Sequence, residues 1–561
     1  MSHPSLTSGD RRALRVSLAV CMLCCGLASH PQSSGRVERP AAVPGTAAEP
    51  GTFQIAGRLV NAVTGAPVRQ ATVAALTLEE SRIVQSVTSD SDGHFALRNL
   101  RGAKYQLTAS KRGFRTGFYD EHDEFSSAVV TGADQDTSHL TFRLTPDAGI
   151  RGVVSSDDGD PVEGARVLLF QRPKHPGPGE RTAEADVAVT DDTGAYEFSD
   201  LPQGEFLIAV IAEPWYAVHG NSKNRAAGEP VNPALDVAYP VTYYDSTTDE
   251  ATARPIVLAG GSREVADITV HGVPAIHLSI PAPRRQNGDI ARPELQQVVF
   301  GTSIAAQSAG FLDALQSGKT DMSGLAPGHY QLTEGDPPRV VDLDLSASEE
   351  VDARGGTAAS AVTGTLRLTS GMPVSEEVNL TLDRVDGERG VNQLVTVAHG
   401  GRFRFENVPP GTWLLWAVGS KPFTVTATGA GRQQRSGNVL TTRDRPMEFA
   451  VTLSKNESRV EGFAERDGKG LAGVMVVLAP RDTGAWRALL RRDQSDTDGS
   501  FALRDVAPGQ YTVVAIADGW SLDSSRPEEL ARYLPQGTPV NVALGSHGLV
   551  RLSSPIQVQD R

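Results

Sequence analysis

Few side chains in this sequence stand at spacings that chemistry requires. The three cysteines, Cys21, Cys24 and Cys25, fall in one short apolar run near the N-terminus. With that run removed, no thiol remains to attack a substrate, bind zinc or form a disulfide. None of the 12 histidines lies in an H-x-x-E or H-E-x-x-H spacing, so the paired zinc ligands of a peptidase are missing. There is no G-x-S-x-G elbow for a serine nucleophile. Gly318-Lys319-Thr320 looks like the end of a phosphate loop, but Asp313 stands where its opening glycine belongs. Asp90-x-Asp92-Gly93 and Asp496-x-Asp498-Gly499 have the look of calcium loops. Calcium takes roughly six to eight oxygens, and two aspartates read better as turn formers beside glycine. The acidic stretch at 119–125, YDEHDEF with His122 at its centre, reads as a solvated loop. The expectation is a chain with no catalytic, cofactor-binding or metal-binding residues and no cofactor.

What the chain does repeat is a phrase. SDSDGHFALRNLRGAKY ends at Tyr105, TDDTGAYEFSDLPQGEF at Phe206, VAHGGRFRFENVPPGTW at Trp413 and SDTDGSFALRDVAPGQY at Tyr511. A worn copy, GKTDMSGLAPGHY, runs from Gly318 to Tyr330. Each copy has a turn glycine (Gly93, Gly194, Gly318, Gly401, Gly499), followed in all but the worn copy by an alternating pair such as Phe95 and Leu97 or Tyr196 and Phe198. A second turn and a further alternating run follow. Period two marks half-buried strands, so the phrase predicts a β-hairpin with an aromatic core face. Its recurrence at the spacing of whole domains predicts one copy per module. Trp215-Tyr216, Trp520 and Phe114 fall at one equivalent place, nine residues past Phe206, Tyr511 and Tyr105. Exposed aromatics at such a place suit sugar binding, but recurrence favours an edge plug that completes each core. Trp413 and Trp416 read as core. The one helical stretch, RPEELARYL starting at Arg526, predicts a turn or two.

At 561 residues the chain has room for about four or five domains. The 56 glycines and 35 prolines supply turns, and a net charge of −14 excludes a basic nucleic-acid surface. Arg11, Arg12 and Arg15 precede the apolar run from Val16 to Ala28, which has signal-peptide length and is short for a membrane span. Cleavage is expected after Ala28. The rival reading is a lipid anchor on Cys25, against which stands Cys24 where a small residue belongs. No transmembrane span is expected after signal removal. Residues 29–50, rich in Pro and Ala, read as a tether. An exported chain without disulfides must hold each module by its hydrophobic core alone.

The pattern G-x-V, G-x-P-V-x-G-A-x-V, T-D-x-x-G-x-[FY], L-P-x-G-x-[YF] resembles the carboxypeptidase regulatory-like domain, a transthyretin-like β-sandwich. Gly152, Pro161, Val162, Gly164, Ala165, Asp191, Gly194, Tyr196, Pro202, Gly204 and Phe206 carry it best, and Gly462, Gly473, Asp496, Gly499, Phe501, Gly509 and Tyr511 nearly as well. The resemblance implies an all-β tandem array of about five Ig-like, antiparallel sandwiches. The expected boundaries are 1–28 signal peptide, 29–50 linker, then sandwiches at 51–146, 147–271, 272–355 (degenerate), 356–456 and 457–561. These motifs specify turns and cores and no activity. The reading is therefore a non-catalytic, exported binding or scaffold protein, periplasmic, cell-surface or extracellular, for carbohydrate or protein ligands. The alternative is an accessory subunit of a separately encoded peptidase or outer-membrane receptor. A spacing role implies an elongated string of modules.

Overall fold

The computed structural model describes residues 51–561 apart from 79–80, 175–181, 220–231, 282–292, 309–318, 336–337, 352–355, 386–392, 419–422, 432, 457 and 544–547. The signal-like run with Cys25 and Ala28, the tether to residue 50, Asp313 and Gly318 lie outside the described residues. From Glu49 on, the chain clusters as one compact unit.

That unit is all-β, a tandem array of five sandwiches. In the first, Phe53–Asn61, His94–Leu100 and Leu140–Leu144 form one sheet, and Thr72–Thr77, Ile83–Thr88, Lys104–Lys111, Phe114–Phe118 and Val129–Val130 form the other. Between them lie Ile55, Leu59, Phe95, Leu97, Leu107 and Phe142. Four further clusters repeat this arrangement, around Phe198 and Phe206, around Leu278 and Leu332, around Phe405 and Trp413, and around Phe501 and Tyr511. Most neighbouring strands are antiparallel. The closing strand of each sandwich instead lies parallel to its first strand, as Leu140–Leu144 does beside Phe53–Asn61 and Met447–Lys455 beside Ser360–Leu368.

The repeated phrase is not a hairpin. His94–Leu100 pairs with Phe53–Asn61, whereas Lys104–Lys111 pairs with Thr72–Thr77 in the opposite sheet. The two strands of each other copy likewise pair with different partners and not with each other. A hairpin and a crossing arch both put residues i and i+2 on one face, so periodicity alone does not separate them. A bulge marks the crossing. In every copy the register slips by one residue just before the turn, as between Phe53 and Ile55. The residues at the slip are Asn99, Asp200, Gly324, Asn407 and Asp505, all with φ between +54° and +81°. Only Gly, Asn and Asp adopt that backbone readily, which explains the restricted choice at one fixed place.

The last aromatic then closes the arch. The hydroxyls of Tyr105, Tyr330 and Tyr511 donate to the carbonyls of Arg101, Ala326 and Ala507, four residues upstream, at 3.2, 2.9 and 2.7 Å. Trp413 uses its indole N–H on Thr442 Oγ1 instead, at 3.0 Å. A buried ring with one satisfied polar end holds position as well as bulk. The expected short helix forms at Pro527–Leu530, and a second, Trp486–Leu489, was not expected.

Candidate functional site

The recurring aromatic positions do not converge on a shared cleft. Phe95 and Leu97, Tyr196 and Phe198, Phe403 and Phe405, and Phe501 and Leu503 each seal a separate interior. Trp413 is core as expected, while Trp416 is only half-buried. Lys319 and Thr320 lie in the strand Lys319–Leu325, with Thr320 buried and Lys319 paired with Glu350 at 2.8 Å; the rest of that pattern, residues 313–318, lies outside the described residues. Asp90, Asp92 and His94 bring three ligand atoms within 4.8 Å of one another, all exposed. The Asp90 carboxylate already accepts the N–H groups of Asp92 and His94, at 2.9 and 2.8 Å. Those backbone bonds, that from His94 foremost, hold its carboxyl below the usual range. These bonds are those of a tight Asp-Gly turn.

The fifth copy of the same turn has a different role: it is where the fifth sandwich meets the first. Lys104 Nζ reaches Asp496 Oδ2 and Ser500 Oγ, both at 2.6 Å. Asp496 Oδ1 accepts the Ala128 N–H at 2.8 Å, Thr497 Oγ1 accepts from Val130 N at 2.9 Å, and Thr497 N–H donates to the Ala128 carbonyl at 3.0 Å. Ser127 Oγ donates to the Ser495 carbonyl at 2.9 Å. The acidic stretch expected to be solvated belongs to this contact. His122 stacks on Trp520 with centroids 5.3 Å apart and rings within 9° of parallel, and Phe125 packs beside it at 5.8 Å. Asp123 pairs with Lys174 at 2.8 Å, and Glu124 with Arg492 at 3.0 Å. An open string of modules is therefore not the arrangement: the terminal sandwiches are clasped together. Charges that look like a hydrated loop are satisfied in part by partners over 300 residues away, and sequence spacing carries no trace of that.

The clasp also separates two tryptophans that occupy one place in the repeat. Trp520 is 7% exposed, and its indole donates to the Gly473 carbonyl at 3.0 Å. It fills the plug role expected for it. Phe114 does so in part, half-buried against its own core. Trp215 is 89% exposed, which overturns that expectation for the second sandwich. Its ring meets only the edge of Tyr216 among the aromatic contacts of the described residues, at 5.8 Å and 84°.

Residues 54–145 match the family model of the carboxypeptidase regulatory-like domain. The chain is 20% identical over 540 residues to Colossin-A of Dictyostelium discoideum, an alignment covering 78% of this chain and 5% of that protein. It is 19% identical over 402 residues to Serine-aspartate repeat-containing protein F of Staphylococcus epidermidis, covering 64% and 24%. The chain thus spans a small part of either relative's length. Among solved structures it is similar to the Bacillus anthracis TIE protein, with 9% identity, a TM-score of 0.16, and 87% of this chain and 68% of that one covered.

The regulatory-like domain at 54–145 supplies one half of the clasp, and the half it meets holds a perturbed acid. Asp493 lies on the strand Arg491–Gln494, and its Oδ2 accepts the Ala502 N–H at 2.6 Å. Burial, reinforced by the charge of Asp496, pushes its carboxyl up to about 7. Asp496 is also raised by burial, which Lys104 only partly offsets. An unfolded aspartate titrates near ~3.9. From about pH 4 to about pH 7 the folded chain holds a proton that the unfolded chain has released, so stability falls as pH rises through that window and is level above it. Asp493→Asn keeps an acceptor for the Ala502 N–H. It should flatten that slope and stabilise the protein at pH 8, by on the order of 2 kcal/mol. Melting curves at pH 5 and pH 8 check this, and an unchanged slope in the variant would refute it.

Proposed function

We propose that this is a non-catalytic, exported protein of the cell envelope that works as a binding scaffold, its modules divided near residues 146, 271, 355 and 456. The observation that carries the reading is the separate burial of the recurring aromatic positions, which leaves the repeated phrase no common cleft in which to react. The signal-like run ending at Ala28 and the thiol-free remainder of the chain support export. The clasp supports a scaffold of fixed geometry over a loose string, because it ties Lys104 and His122 of the first sandwich to Asp496 and Trp520 of the fifth.

Expression in a bacterial host followed by fractionation and intact-mass measurement tests the reading. The expected product begins at Ser29, leaves the cytoplasm, and turns over no substrate in a broad hydrolase screen. A cytoplasmic product of full length, or saturable turnover that scales with protein, would overturn it. Stoichiometric recovery of a peptidase or receptor in an envelope pull-down would instead make the chain an accessory subunit.

A further inference from the structure

We infer that the loop end of the second sandwich carrying Trp215 and Tyr216 is a platform for uncharged saccharides. The inference rests on the binding role proposed above and gives it a site and a ligand class.

Trp215 and Trp520 stand at the same distance past the last aromatic of their copies. At Trp520 the indole face is occupied by His122, a flat ring stacked 5.3 Å away, and Phe125 lies against it. At Trp215 no such stacked ring is present among the described residues, and 89% of the residue faces solvent. The position is thus able to seat a flat partner, and in the second sandwich that seat is open.

The surroundings decide what kind of partner fits. Tyr216, 38% exposed, meets Trp215 in a T-shaped contact, and its hydroxyl lies near the ring of buried Tyr239. Both phenols lie beside Gly272, where a Cβ would touch the Tyr216 hydroxyl at 3.6 Å and the Tyr239 ring at 3.9 Å, ordinary contact distances. Exposed Asp157 and Asp158, at the turn after the strand Ala148–Ser156, lie close enough to the Tyr239 hydroxyl to act on it electrostatically. Exposed His271 stands 3.8 Å from Asp157. The apolar surface here is a single indole with the Tyr216 phenol at its side, and next to Gly272, which lies beside that phenol, stand His271 and its partner Asp157. A protein interface wants a broad desolvated centre, on the order of 800 Å² per partner, which one ring does not provide. A pyranose matches better, since its C–H face lies flat on an indole while its hydroxyls donate to carboxylates. The two aspartates would repel uronic or sulfated sugars, so the platform selects for uncharged ones.

The test uses the mature chain and three probes, cellohexaose, chitohexaose and polygalacturonate, followed by tryptophan fluorescence and calorimetry. At least one uncharged hexamer should bind and shift the emission of the exposed indole, and polygalacturonate should not. Trp215→Ala should weaken that binding by about tenfold or more, Trp215→Tyr should retain most of it, and Trp520→Phe should leave it as in the wild type. Because Trp215 packs against so little, its variants should melt with the wild type. Binding to none of the probes, preference for polygalacturonate, or equal binding by Trp215→Ala would each overturn the inference. Trp215-dependent capture of an envelope protein without sugar binding would overturn it in favour of a protein ligand. Export and turnover are read separately, so failure of the platform is distinguishable from failure of the proposed function.

Discussion

Trp520→Ala should destabilise the fifth sandwich by about 3–5 kcal/mol, while Trp215→Ala should change stability by less than about 0.5 kcal/mol. Trp520 packs with Met475, Val514, Ile516 and Tyr533 on the outer face of its sheet, and it carries the stack with His122. Its removal leaves a cavity that the sheet has no means of collapsing, frees the Gly473 carbonyl and strips the clasp of its aromatic centre. The loss should be visible beyond the fifth sandwich. Hydrogen exchange at residues 120–130 should quicken in Trp520→Ala, because Ala128 and Val130 donate backbone N–H groups across the contact. His122→Ala should produce a milder form of the same pattern, by about 1 kcal/mol, since it removes the stack without emptying the sheet face. Denaturation followed segment by segment by hydrogen exchange checks all three variants, because a multidomain chain need not unfold in one step. A Trp520→Ala variant as stable as Trp215→Ala would show that the clasp does not form in solution.

These two residues also show where sequence reading stops. Alternation at Phe95 and Leu97, or at Phe501 and Leu503, is a local property of strands, so the all-β class and the core faces were legible from the repeated phrase. The phrase also contains the bulge, in the Asn, Asp or Gly that recurs just before the turn, although reading the turn as a hairpin hid it. The sheet to which each strand belongs depends on partners such as Leu97 with Ile55, which lie outside the phrase. Trp215 and Trp520 are equivalent within the repeat, yet one is buried because a hairpin of the first sandwich, Glu121–His122 with Phe125–Ser126, reaches it from nearly 400 residues away. That difference has no local signal. The candidate platform was legible only as a pair of alternatives, plug or ligand seat, and the neighbours choose between them differently in each sandwich.

Gly152→Ala is expected to disrupt the second sandwich about as strongly as the loss of a large buried side chain, although it adds one methyl group. Gly152 lies in the first strand, where the segment between Arg263–Val265 and Ile268–Val270 passes close by. A Cβ at this residue would lie 2.1 Å from the Ala266 carbonyl oxygen and 2.9 Å from the Tyr196 hydroxyl. Neither neighbour is able to yield. Ala266 N–H donates to the Arg151 carbonyl at 2.8 Å, and the Ala266 carbonyl accepts the Tyr196 hydroxyl at 2.5 Å. Relief of the clash means moving the closing segment off the first strand, with loss of both bonds and of the packing of Ile268 and Val270. The expected cost is about 3 kcal/mol or more, at the upper end of overpacking. Gly57 repeats the arrangement in the first sandwich, 2.2 Å from the Leu140 carbonyl oxygen, and Gly57→Ala should behave alike there. Gly159→Ala is the control. Its φ of +82° strains an alanine, but nothing lies within 4 Å of the added carbon, so the cost should stay near ~1 kcal/mol. Urea titration with hydrogen exchange over residues 263–270 separates the cases. Should Gly152→Ala match Gly159→Ala in stability, with exchange in that segment unchanged, the close passage of the closing segment is not what holds the second sandwich shut.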